Sequence, residues 1–559
     1  MLRSIFSTAV LLVSPVAAAA SLAFVPTIAE AASLTTFRLQ DATIADINLA
    51  IDSGALTSQQ LVQLYLNRIA AYDQQGPSIN SLITINPNAL QEAALLDQQR
   101  NLVSDRNPLY GIPVIVKDNF NTFDLPTTAG VLAFDGFVSA TDAFQVQKLR
   151  EAGAIILGKA NLSEFAFSGS TSISSLGGTT LNPYDPLRSP AGSSGGTGAS
   201  IAASFATVGL GTDTGGSIRN PSAFNSLVGV RPTIGLSSRS GIVPLALSQD
   251  TGGPLARSVL DAALTLDATV GFDPNDPITA TGIGNIPDSY TDFLQVNGLQ
   301  GKRIGIVRDL FGSDADPEYA QVNAVINQAI ATLESLGATI VEAVTIPGLS
   351  EILAFPSLSA FEFKYDLEDY LAAEPDAPYS TLQQIIDSGL FLPSNLSTLI
   401  ARNNVPPLET NQEYQTIIQN RPGLTQNALL TALTGLDALL YPTSQAPPRL
   451  NSQAQRIGSN NRLSAFSGFP AITLPAGYTA DGLPVGVEFL GRAFDEPTLL
   501  QLAYAFEQGT KLRQTPSFTP DLPGEVFQYE AVPEPTTMAG LALAGLGMTV
   551  LRRRQRKVE

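Results

Sequence analysis

Between Leu187 and Pro221 the chain places two serine-bearing, glycine-rich turns, Gly192-Ser193-Ser194-Gly195-Gly196 and Gly211-Thr212-Asp213-Thr214-Gly215-Gly216-Ser217. The stretch between them, with Gly198, Ala199, Ile201, Ala202 and Ala203, reads as a helix of small residues. Such a helix can pack close to a sheet, and glycines in the turns let backbone approach a ligand. Ser193 then sits near a helix N-terminus.

The first turn fits G-x-S-x-G, a strand-to-helix elbow that would expose Ser194 as a nucleophile. A serine of that kind hands its proton to an imidazole. The chain contains no histidine at all. Serine catalysis here needs another base, and lysine is the obvious one. A phosphate-binding loop is excluded, because no Gly-Lys-Ser/Thr follows the glycines.

Composition narrows the partners. At 559 residues and 44% hydrophobic content the chain can bury a large core. Zero cysteine removes disulfides, thiolate ligands and cysteine nucleophiles. With histidine also absent, only oxygen ligands remain for a metal, and no dense carboxylate cluster stands out. A net charge of −19 argues against nucleic-acid binding, since no basic stripe could neutralise a phosphate backbone.

The two ends read as addresses. Residues 1–31 combine Arg3, an apolar run through Val10, Leu11, Leu12, Val13 and Val16, and Ala29-Glu30-Ala31, the pattern of a cleaved secretory signal peptide. Residues 532–559 carry Val532-Pro533-Glu534-Pro535, an apolar run from Met538 to Leu551, and Arg552-Arg553-Arg554-Gln555-Arg556-Lys557. That run is short of the roughly 20 residues a spanning helix needs. The segment resembles the PEP-CTERM sorting signal of Gram-negative bacteria. The resemblance implies transient membrane contact, processing by an exosortase after signal peptidase, and delivery to the cell surface or extracellular matrix. An uncleaved tail anchor is the alternative.

Between the addresses no low-complexity linker, charge block or repeat interrupts residues 35–515, and 516–531 read as a linker to the sorting signal. Thr57 to Gln60 is a capping box before an amphipathic helix. Ile112 to Val116 is a buried strand that ends at Lys117. Asp142 is expected to cap a helix that stops near Gly153, with Ala154 to Leu157 a strand after it. Strand, helix and strand recur over Gly301–Val307, Val322–Leu336 and Ala338–Val341. Ala471–Leu474 and Val485–Leu490 read as strands, and Glu496–Glu507 as a helix. The alternation predicts an α/β domain with a large, mostly covered sheet.

Motifs between Gly111 and Arg257 carry a family resemblance. They are Gly111-Ile-Pro-Val-Ile-Val-Lys117-Asp118-Asn119, Leu125-Pro-Thr-Thr-Ala-Gly130, Ala191-Gly-Ser-Ser-Gly-Gly196, Gly211-Thr-Asp-Thr-Gly-Gly-Ser217-Ile-Arg219 and Gly253-Pro-Leu-Ala-Arg257. In this order they resemble the amidase signature family, with Gly468-Phe-Pro-Ala-Ile472 and Gly482-Leu-Pro-Val-Gly486 extending the likeness. Ala191 departs from the glycine that many members carry there. The resemblance implies a single large α/β domain whose mixed sheet is covered by helices. It also implies a Ser–cis-Ser–Lys set: Ser217 as nucleophile, Ser193 as bridge after a cis Gly192–Ser193 peptide, and Lys117 as base. Thr214, Gly215 and Gly216 would supply the oxyanion hole together with the Ser217 N–H. Ser194, Asp213 and Arg219 take supporting roles, Asp118 is expected to point away from the base, and Tyr441, Pro442 and Thr443 to line the substrate channel.

Physical chemistry agrees with such roles. A nest of N–H donors favours a developing oxyanion. Lys117 acts as a base only when neutral, and lowering its pKa from about 10.4 toward 7 costs roughly 4 kcal/mol, to be met by burial without a paired carboxylate. The expected activity is an exported amidohydrolase that cleaves carbon–nitrogen bonds of a small-molecule amide through an acyl-enzyme, with no cofactor, no metal and no nucleic-acid partner. An inactive surface protein that kept the fold, and an amidotransferase-type subunit, remain as alternatives. Residues 270–430 carry no recognisable specificity motif.

Overall fold

A computed structural model describes residues 34–530. The expected signal peptide and sorting signal lie outside them. The chain is organised on one eleven-stranded mixed sheet. From edge to edge its strands are Thr339–Val341, Arg303–Ile306, Ala438–Pro442, Pro484–Leu490, Ala471–Tyr478, Val228–Arg231, Gly252–Ala256, Val208–Thr212, Pro113–Lys117, Ile155–Ala160 and Leu82–Ile85. Pro113–Lys117 lies parallel to both Ile155–Ala160 and Val208–Thr212, whereas Val208–Thr212 meets Gly252–Ala256 antiparallel. All five residues of Pro113–Lys117 and of Val208–Thr212 are buried. Near-continuous apolar runs are what strands covered on both faces require.

Most elements follow the sequence pattern. Thr57 caps Ser58–Tyr72 through the reciprocal box with Gln60. Helices Pro317–Ser335 and Glu496–Thr510 start on proline-containing first turns. The helix Gly195–Ala202 is buried along its whole length. Its closeness to the sheet explains one glycine directly: a Cβ on Gly196 would fall 2.1 Å from the Asn161 carbonyl oxygen.

Two expectations are corrected. The helix Phe144–Glu151 is preceded by Ala143 at its cap, with no side-chain cap bond. Asp142 instead accepts the Phe123 N–H at 3.1 Å and pairs with Arg150 at 3.0 Å. The described part of residues 516–531 is not a free linker. Val526–Glu530 pairs antiparallel with Leu34–Arg38. Buried Arg68 donates to Thr519 C=O at 2.7 Å and to Glu525 at 2.7 Å, so a guanidinium inside the domain fastens this segment.

A group of helices that the sequence leaves unread packs on the loops around the two turns. It comprises Ser359–Ala373, Leu382–Ser388, Leu396–Asn403 and Gln412–Ala432. Phe363, Leu367, Leu371, Leu382, Ile385 and Leu399 form a separate apolar cluster there. Among the described residues no helix is long and apolar enough to cross a membrane.

Candidate active site

Sheet register brings the signature residues together. Lys117 ends one strand, Thr212 ends its parallel neighbour, and the turn Asp213–Ser217 follows directly. Ser193 and Ser194 precede the buried helix Gly195–Ala202, and the Gly192–Ser193 peptide is cis. Lys117 Nζ lies 2.7 Å from Ser193 Oγ and 2.7 Å from Thr212 Oγ1. Asn119 Nδ2 donates to the same threonine hydroxyl at 3.1 Å. The lysine is fully buried, and both of its close side-chain partners are hydroxyls. Burial pushes its pKa down to about 7, although the carboxylates of Asp250 and Asp213 act against the fall.

The second turn is built around Asp213. That carboxylate accepts the Gly216 N–H at 2.6 Å and the Ile218 N–H at 3.2 Å. It also pairs with Arg219 and Arg231, each at 3.1 Å and all fully buried. Burial alone would raise its pKa, but the two guanidinium groups hold it well below the usual carboxylate range. Arg219 continues to Glu488 at 2.6 Å. Gly216 adopts φ of +116°, and a Cβ there would meet Asn220 and Asn461 at 2.8 Å. With the Gly216 N–H given to Asp213, the N–H groups of Thr214, Gly215 and Ser217 meet no acceptor among the described residues.

Ser217, Thr214 and Gly215 line a cleft of about 230 Å³ whose other walls include Phe167, Gln249, Ser359, Arg462 and Phe466. Ser194 lies behind this surface. It is fully buried, its Oγ is 3.2 Å from the Thr212 carbonyl, and its N–H donates to the Ser217 carbonyl at 3.2 Å. It therefore joins the turns and is not the exposed serine of an elbow. Tyr441 and Thr443 are buried away from the cleft: Tyr441 donates to Glu488 at 3.0 Å, and Thr443 bonds to Thr473. Tyr441, through Glu488, buttresses the Arg219 end of the turn where the resemblance placed a channel. Asp118 points to Lys159 at 3.1 Å and accepts the Thr128 N–H at 3.2 Å.

Several site residues escape sequence reading. Thr212 and Asn119 sit inside the signature motifs, next to residues already singled out. Gln249, Ser357, Ser359, Asn461 and Arg462 come from segments with no motif, and only the fold brings them to the cleft.

The chain is similar to known amidases along most of its length. The family model described as Amidase matches residues 60–500, and that of the PEP-CTERM protein-sorting motif matches residues 531–557. A probable amidase of Arabidopsis thaliana is 36% identical over 87% of this chain and 93% of its own length. A glutamyl-tRNA(Gln) amidotransferase subunit from Syntrophus aciditrophicus is 35% identical over 85% of this chain and 99% of its own length. Among solved structures, the native peptide amidase of Stenotrophomonas maltophilia aligns with a TM-score of 0.77. It is 39% identical, covering 86% of this chain and 99% of the peptide amidase.

Proposed function

The chain belongs to the amidase signature family of amide-hydrolysing enzymes, and on that premise we propose that it is an exported amidohydrolase working through Ser217, Ser193 and Lys117. Neutral Lys117 takes the Ser193 proton while Ser193 takes that of Ser217, and Ser217 Oγ attacks the amide carbonyl. The N–H groups of Thr214, Gly215 and Ser217 receive the oxyanion, while Gly216 is reserved for Asp213. The proton returns through Ser193 to the leaving amine. Water then attacks the acyl-enzyme along the same relay and releases the acid. The observation that carries the reading is a fully buried lysine, 2.7 Å from Ser193, with hydroxyls where a carboxylate would keep it charged. Arg219, Glu488 and Tyr441 hold the turn and touch no reacting atom.

Likeness to a peptide amidase makes carboxamides of peptides the first substrates to assay. The amidotransferase relatives favour a second reading, amide chemistry inside a transamidase. Strong acidity and the sorting motif speak for export and against a charged-tRNA partner. Hydrolysis of an amide panel, with fluorophosphonate labelling mapped by mass spectrometry, tests the proposal. Labelling at Ser217 with amide turnover supports it, and turnover that survives Ser217→Ala overturns it.

A further inference from the structure

The turn can present N–H groups to the cleft only while its peptide planes keep their orientation. In a trans peptide C=O and N–H point in opposite directions, so a donor fixed on one carbonyl sets the N–H of the next residue. Arg231 and the Thr251 N–H hold the Asp213 carbonyl, and the Asn220 N–H holds the Gly216 carbonyl at 2.8 Å. The Thr214 carbonyl is held by a side chain from a distant segment, Gln249 Nε2 at 2.9 Å. The N–H set by that bond belongs to Gly215, which lines the cleft.

Gln249 is itself locked. Its Oε1 accepts the Leu358 N–H and Arg421 Nη2, both at 2.9 Å, so the amide can turn only its donor end to Thr214. Arg421 is buried and donates through Nη1 to the Pro356 carbonyl at 2.9 Å. Its guanidinium stacks 4.0 Å from the Phe466 ring centre. The loop leading to Gln249 is tied equally firmly. Asp250 accepts the Leu245 and Ala246 N–H groups, Asp366 that of Leu247, and Glu362 that of Ser248. Glu362 and Asp366 stand on the helix Ser359–Ala373. The proton relay uses none of these groups.

We propose that Gln249, locked by Arg421, is a positioning residue for the oxyanion hole: it fixes the Thr214–Gly215 peptide so that the Gly215 N–H meets the oxygen of the tetrahedral intermediate. The inference rests on Ser217 being the nucleophile. Gln249→Glu keeps the size of the side chain and its hold on Arg421, but turns an oxygen instead of a donor toward the Thr214 carbonyl. It should lower kcat about 100-fold, the scale of a lost oxyanion donor, with KM changed less than about threefold. A peptide aldehyde, whose hemiacetal oxygen occupies the hole, should lose a similar factor of about 100 in affinity. Arg421→Met releases Gln249 without altering it, should cost about tenfold in kcat with the same split, and carries the test should Gln249→Glu not fold. Wild-type kcat in the folded variants, a loss confined to KM, or unchanged aldehyde affinity overturns the proposal. Absence of fluorophosphonate labelling at Ser217 of the wild type overturns the nucleophile reading beneath it. Labelled Ser217 together with wild-type kcat in Gln249→Glu overturns the positioning role alone.

Discussion

Lys117 and Lys159 stand on adjacent parallel strands, both fully buried, and their surroundings prepare them for opposite tasks. Lys159 pairs in register with Val116, one position before Lys117, so alternation along the strands sends the two lysines to opposite faces of the sheet. Asp118, one position after Lys117, meets Lys159 at 3.1 Å. Lys159 also donates to Thr127 Oγ1 and the Pro126 carbonyl, each at 2.8 Å, and to Thr122 Oγ1 at 3.3 Å. Among the described residues Lys117 Nζ has only the hydroxyls of Ser193 and Thr212. Burial pushes both amines down. Beside Lys159 a carboxylate in contact opposes that push, whereas at Lys117 unbonded Asp250 and Asp213 leave the group at about 7. At equal burial Lys159 stands in a salt bridge on one face and Lys117 between two hydroxyls on the other, and the difference is a carboxylate in contact.

Substitutions can break that contrast. The largest effect should come from Ser217→Ala, which stops the reaction whatever the state of Lys117. Turnover should fall on the order of 10⁴-fold or more, with labelling lost and thermal unfolding unchanged. Labelling that moves to Ser194 would revive the elbow. Lys159→Met should act on stability instead, because it leaves Asp118 buried without its countercharge. Chemical denaturation should show a loss of about 3–5 kcal/mol, while the folded fraction keeps turnover within a few-fold of wild type. Lys117→Ala should show the reverse, a loss of about 100-fold or more in turnover at pH 7 and a smaller change in stability than Lys159→Met. Equal destabilisation by the two substitutions would erase the distinction.

Asp250→Asn probes the residual field at the base and has the smallest effect. Asp250 raises the Lys117 pKa, so its loss should move the midpoint of acylation downward in pH. An upward shift would show that Asp250 does not support the ammonium.

How far the sequence could be read follows the same physics. Lys117 sits at a strand end and Ser193 and Ser217 in glycine turns, so their places in the fold are legible in the motifs. In the helices Ser359–Ala373 and Gln412–Ala432 a charged residue interrupts the buried face and blurs the apolar pattern. Glu362 and Arg421 are 3% and 1% exposed, and periodicity counts such residues as surface. The Gly216 N–H was expected in the oxyanion hole, since sequence cannot show that Asp213 folds back three residues to take it. Tyr441 was placed in the channel by motif position, while the Arg219–Glu488 pair that draws its hydroxyl inward spans distant segments. The strand Val526–Glu530 was read as linker because its partner, Leu34–Arg38, lies at the other end of the domain.

The most direct test of a neutral Lys117 is the pH dependence of single-turnover acylation on the wild-type enzyme. The neutral fraction of a group with a pKa near 7 falls tenfold per pH unit below that value and saturates above it. Acylation should therefore climb tenfold per unit up to a midpoint at about 7, level off toward alkaline pH, and lose this dependence in Lys117→Ala. A rate still climbing at pH 9 toward the ordinary lysine range near 10.4, or the same midpoint retained without Lys117, would contradict the account.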